Sequence, residues 1–200
     1  YPTSYIPTNG LLVTRRADVC NNAGDSTIFN DSEGVLFLEA RHLADETADS
    51  IFRIRNSSNT SEFVDFRYDT IVDRIQMVVS TGGANSTTIA STDYNDKVYN
   101  KIALKYKQDD FAVWINGKEA NTDPSGPTPT GLSEMMMFIG QFNAAIRQVI
   151  YFNEALSDAE LEYITSADID LTIHNYKGSL SKISATYEDV GVKDRLTKLF

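Results

Sequence analysis

Glu62 and Asp65, in the run Glu62-Phe63-Val64-Asp65-Phe66-Arg67, pose the first chemical question. Retaining hydrolysis of a glycosidic bond needs two carboxylates about 5–5.5 Å apart. Residues three apart on a regular strand project to opposite faces. No third acid follows on the same strand, so this run predicts no hydrolytic pair. A second cluster, Tyr94, Asn95, Asp96 and Tyr99, suits binding better than catalysis. Aromatic faces stack on sugar rings, Asn and Asp bind hydroxyls, and turn polarity places the group at a rim. Asn143, in a break between two apolar segments, is a further candidate of the same kind. The plainer alternative is a simple turn in which Tyr99 belongs partly to the core.

Other chemistry is thinly supported. Cys20 is the only cysteine, and the two histidines, His42 and His174, are remote from it in sequence. It reads as a small buried hydrophobe, compatible with folding in a reducing cytoplasm. Hard cations want six to eight oxygens. The acid-rich loops Asp25–Glu33, Asp45–Asp49, Asp69–Asp73 and Asp93–Asp96 have no D-x-D-x-D-G spacing. They read as solvated loops, and calcium is the one cofactor left open. Trp114 fits a core or sheet face better than a sugar platform. Arg15-Arg16 is too little charge for an acidic surface. Four Asn-x-Ser/Thr sequons, at Asn30, Asn56, Asn59 and Asn85, carry no glycan if a bacterium makes the protein.

The elements that would position these residues follow from periodicity. Alternation with period two runs from about Gly34 to Phe152. Ile102, Leu104 and Tyr106 face one way, while Lys101, Ala103, Lys105 and Lys107 face a wet side. Asp109-Asp110 turns the chain into Phe111–Ile115, and Asn116-Gly117 makes a tight hairpin into Lys118–Ala120. Earlier strands are expected at Val35–His42, Ile51–Asn56, Phe63–Tyr68, Arg74–Ser80 and Thr87–Ser91. Asp123–Gly131, with three prolines, crosses between sheets. Met135–Ile139 and Ile146–Phe152 are continuous apolar runs, which predicts core strands covered on both faces. Ser157 and Glu160 form a capping box with Leu156 and Leu161 as its staple, opening a helix over Asp158–Ile164. These signals predict an all-β fold, an antiparallel sandwich with one short helix.

At 200 residues the chain suits one domain with appendages. Residues 1–19 read as a linker, because Pro2 and Pro7 favour extended backbone and Asn9-Gly10 a turn. Residues 20–166 form the sandwich. Residues 167–200 form a C-terminal extension that packs on a neighbour or opens the next module, with Val192–Phe200 as a short amphipathic helix. The chain opens on Tyr1 rather than Met, which predicts a piece of a longer or processed polypeptide. A net charge of −10 argues against nucleic acid as a partner. No apolar run reaches the roughly 18 residues of a membrane span.

Two strings add a resemblance. PTSYIPT-x-G followed by VTR-x-ADV, over residues 2–19, resembles the junction segment of bacteriophage tail and fibre proteins, with Arg16 where that pattern usually has Ala. KIALKY–KQDD–FAVWINGKEANTD and the closing YF-x-x-ALSDAEL resemble the concanavalin A-like lectin/glucanase superfamily, and within it the laminin-G-like jelly roll of phage tail proteins. The resemblance spans about residues 20–166. It implies two curved antiparallel sheets. It also implies a virion protein, a tail fibre, spike or appendage made in the bacterial cytoplasm, that recognises host cell-surface glycans without bond-making chemistry. A homotrimer in contact with other virion proteins is implied as well, with 167–200 as the place to look for contacts. A purely structural or capsid-decoration domain is the alternative. The superfamily's glucanase branch places a Glu-x-Asp-x-(x)-Glu cluster on one strand face, which residues 62–67 do not reproduce.

Overall fold

The computed structural model describes residues 23–42, 49–69, 74–92, 94–95, 98–137 and 144–166, and the backbone of 196–197. Two antiparallel sheets form a sandwich. The first has five strands: β2 (Ser50–Arg55), β3 (Phe63–Asp69), β4 (Arg74–Thr81), β5 (Ala84–Ser91) and β9 (Glu134–Met137), in the order β5-β4-β3-β2-β9. The second contains β1 (Glu33–His42), β6 (Asn100–Lys107), β7 (Phe111–Ile115), β8 (Lys118–Asp123), β10 (Ala144–Phe152) and the two-residue β11 (Leu196–Thr197). Their order is β11-β10-β1-β6-β7-β8.

Alternation fills the space between the sheets. Leu36, Leu38, Ile102, Leu104 and Val113 from one sheet meet Phe52, Ile54, Val64, Phe66, Ile75 and Met77 from the other. Turn chemistry sets the registers. Asn116 and Gly117 have φ of 51° and 80°, the left-handed pair that a tight hairpin requires. Gly82 and Gly83, at 60° and 86°, do the same between β4 and β5, so β5 starts at Ala84 rather than Thr87.

The helix α1 (Asp158–Thr165) begins where its capping residues predict. The Ser157 amide donates to Glu160 Oε2 at 2.8 Å. Leu156, Leu161 and Ile164 then bury a second apolar cluster with Phe37, Ala103, Ala112, Trp114, Ile150 and Phe152 on the outer face of the six-stranded sheet. This corrects the wet face expected for β6. Ala103 is fully buried and Lys105 nearly so, because α1 lies over them. Lys105 Nζ answers its burial with Asp110 at 2.7 Å and Asp158 at 3.6 Å.

Two further expectations change. The two closing strands are not covered on both faces throughout: Met136 of β9, the strand that ends the five-stranded sheet, is half-buried, and β10 is buried only over Ile150–Phe152, with Arg147 exposed. Leu196–Thr197 pairs as a strand with Tyr151 and Phe152, where a helix over 192–200 was expected. The other segments expected at the two ends of the chain, the linker over 1–19, Cys20 and the extension over 167–195, lie outside the described residues.

Candidate functional site

The outer face of the five-stranded sheet carries no helix among the described residues, and charged residues cluster on it along β2, β3, β4 and β9. Arg53 stands opposite Asp65, with Arg67 two residues on and therefore on the same face. Asp65 is wholly buried and grips both guanidinium groups. Arg53 Nη2 donates to its Oδ2 at 2.6 Å, while Arg67 donates to the same oxygen from Nη2 at 2.7 Å and Nε at 3.0 Å. Arg53 also lies 3.6 Å over the Phe63 ring. Around this centre Arg55 pairs with Glu134, and Arg74 Nε with Asp69 at 2.8 Å. The result is a sheet of guanidinium planes locked by carboxylates and one ring. A guanidinium plane held in this way, as that of Arg67 is with 21% of its side chain exposed, offers a donor without further loss of rotamer freedom.

This arrangement bears on the acids of residues 62–69. β3 runs on to Asp69, so a third acid does follow on the strand, on the face of Asp65, where it pairs with Arg74. Asp65 is enclosed by arginines on the face. Glu62 sits before β3, where its Oε1 accepts from the Gly82 amide at 2.6 Å and its Oε2 from the Thr130 amide at 3.0 Å. Both acids serve as acceptors for fixed donors, and neither faces the other across an open space.

Of the expected rim residues, Tyr94, Asn95 and Tyr99 lie at one end of the sandwich, while Asp96 and Asn143 fall outside the described residues. Tyr94 is half-buried with its ring 6.0 Å from Tyr68, so it partly closes the core. Asn95 is exposed, and its carbonyl accepts from Asn100 Nδ2 at 2.8 Å. Tyr99 holds two cations: Arg147 Cζ is 3.7 Å from its ring centre and Arg41 Cζ is 5.2 Å away. Arg147 Nη1 also donates to Glu39 at 3.0 Å. The hydrogen bond and charge of Glu39, followed by the Tyr99 phenol group, raise the Arg147 pKa, Glu39 contributing most. Arg41 and Arg147 lie 106 positions apart, so only the pairing of β1 with β10 could have joined them to Tyr99.

The opposite end is braced. Asp31 accepts from the Gly131 and Leu132 amides at 2.6 and 2.9 Å, and Asp109 from the Gly126 amide at 3.0 Å. With Glu62, three carboxylates clasp the proline-rich crossover. A cleft of about 400 Å³ between Ser26–Asp31, Gly131–Leu132 and Asn153 opens beside this brace. Among the described residues no three His, Cys, Asp or Glu side chains converge as a metal site.

No known family model and no curated protein matches the chain. Solved structures do. The chain is similar to the CBM40 module of Ruminococcus gnavus IT-sialidase bound to α2,3-sialyllactose, with a TM-score of 0.59 and 17% identity over 76% of this chain and 96% of that one. The α2,6-sialyllactose complex of the same module gives a TM-score of 0.53 and 16% identity over the same shares. The binding domain of botulinum neurotoxin DC in complex with SialylT gives 0.54 and 12% identity over 68% of this chain and 35% of that one. At these identities the likeness is one of fold: the chain is a jelly-roll sandwich of the architecture that carbohydrate-binding modules use.

Proposed function

We propose that the chain is a non-enzymatic glycan-recognition module that binds through the arginine-bearing outer face of the five-stranded sheet. The observation that carries this reading is the Arg53–Asp65–Arg67 fork, in which buried Asp65 fixes the partly exposed Arg67 guanidinium on a face that carries no helix among the described residues. Guanidinium planes suit carboxylates and vicinal hydroxyls. The shared fold with modules solved in complex with sialyllactose supports an acidic glycan as the ligand. The junction string over residues 2–19 supports a setting in a phage virion, as part of a tail fibre, spike or appendage that attaches to host-surface glycans. In that setting the protein assembles as a homotrimer beside other virion proteins and is made in the host cytoplasm.

A glycan array probed with the purified chain tests the first part. Binding to acidic glycans is expected, weakened about tenfold or more by Arg67→Gln, because a charge-assisted bond is lost. Silence across the array and on host cells would return the protein to the architectural alternative. One observation favours that alternative: Asp65, Glu134 and Asp69 are already matched by arginines within the chain. Solution mass tests the trimer, and antibody labelling of particles tests the virion setting.

A further inference from the structure

The rim around Tyr99 lies on the other sheet and at one end of it, away from the face just described. Two of its buried nitrogens lack partners. Arg41 makes no hydrogen bond or ion pair among the described residues, and its Nε is buried without a partner. The neighbouring His42 Nε2 is also buried without one. Native interiors rarely leave such donors orphaned, so each calls for an explanation. Arg147 is the extra residue of a β-bulge: Glu39 pairs with Gln148 and Ala40 with Ile146, leaving Arg147 between them. Bulges re-aim side chains and recur beside functional sites. Here the bulge turns Arg147, with 58% of its side chain exposed, onto the Tyr99 ring. Two guanidinium groups therefore flank one tyrosine, with Glu39 as their only carboxylate partner among the described residues. Among the described residues this is a local positive surplus, in a chain of net charge −10.

We propose that this rim is a separate binding site for a carboxylate-bearing sugar, with Arg41 and Arg147 holding the carboxylate and Tyr99 fixing the two guanidinium groups. The carboxylate part stands on the two arginines alone. The sugar part rests on the glycan-recognition reading above.

Titration of the full chain with glucuronate, acetate and glucose, followed through the Nε–Hε signals of Arg41 and Arg147, tests it. Glucuronate should shift both signals, acetate should act more weakly, and glucose should do nothing. Arg41→Gln should weaken the response about tenfold or more. Arg147→Gln, at an exposed position, repeats the test if Arg41→Gln does not fold. Equal responses to acetate and glucuronate would overturn the sugar assignment, and no response would overturn the site. A glucuronate response lost in Arg67→Gln but kept in Arg41→Gln would put the anion on the five-stranded sheet and also overturn it. The array result for Arg67→Gln fails or succeeds independently, so the two readings can be told apart.

Discussion

The two ends of the sandwich handle polar groups in opposite ways. At the braced end, carboxylates accept from backbone amides of the crossover and two tyrosines close a ring of hydrogen bonds. The Asn30 amide donates to Tyr151 Oη at 2.9 Å, Tyr106 Oη donates to the Asn30 carbonyl at 2.6 Å, and the two hydroxyls lie 2.7 Å apart. At the rim end, Arg41 Nε and His42 Nε2 are buried and unmatched. Satisfied groups hold a loop in one conformation. Unsatisfied ones cost stability in the free protein and are retained where a ligand can complete them. The comparison predicts that substitutions at the braced end destabilise, whereas the right substitution at the rim does not.

The largest effect should come from Gly34. A Cβ at this position would lie 2.7 Å from the Tyr106 hydroxyl and 2.8 Å from that of Tyr151. Both tyrosines are deep in the core and cannot withdraw. Gly34→Ala should cost about 3 kcal/mol, at the upper end of overpacking, read as a fall in the denaturant midpoint. Adding Tyr106→Phe and Tyr151→Phe removes the two clashing oxygens and should restore part of the loss. An unchanged midpoint in Gly34→Ala would mean that the tyrosine ring does not constrain this end.

Glu62→Gln comes next. Glutamine keeps one acceptor oxygen but turns an NH₂ group toward the second amide, leaving a partly buried donor unmet. The expected cost is about 1–3 kcal/mol, and hydrogen exchange at Gly82 and Thr130 should quicken with it. Faster exchange at Thr130 alone would show which half of the clasp the glutamine keeps.

How much of this could be read from the chain depends on the range of the interaction. Strand alternation, the Asn116-Gly117 hairpin and the Ser157–Glu160 cap are local, and the fold followed from them. The sharing of a face by Asp65 and Arg67 is also local, since residues two apart on a strand point the same way. Arg53 completes that site only through the register of β2 against β3. Lys105 looked solvent-facing because its cover, α1, lies about fifty residues further along the chain. The acids of the loops read as solvated because nothing in their spacing shows that Asp31 meets an amide 100 positions away. Tyr99 was recognisable as a rim residue from its place beside a turn; the arginines that flank it were not.

A smaller effect should appear at alkaline pH. Burial is the first cause raising the pKa of both Tyr106 and Tyr151; the nearby tyrosine hydroxyl raises Tyr106 further. In the unfolded chain both phenols ionise near pH 10. Above that pH the unfolded state binds fewer protons than the native one, so stability falls as pH rises toward the native values. Thermal midpoints should decline above about pH 10, and the Tyr106→Phe/Tyr151→Phe double variant should flatten that decline. The same slope in both proteins would assign the loss to other groups.

The smallest shift has the opposite sign. Arg41→Met keeps the unbranched stem that lines the rim and removes a guanidinium whose Nε is buried without an acceptor. Removing a buried donor that has no acceptor relieves its desolvation penalty, about 1–3 kcal/mol. Because Arg41 keeps part of its surface in water and lies near the Tyr99 ring, the gain should fall at the low end of that range. A midpoint equal to or slightly above that of the parent, together with loss of the glucuronate response, is the expected pair of results. A clear fall in stability would instead show that Arg41 braces the rim as Asp31 and Glu62 brace the other end. The two ends would then differ only in the strength of their bracing and not in purpose.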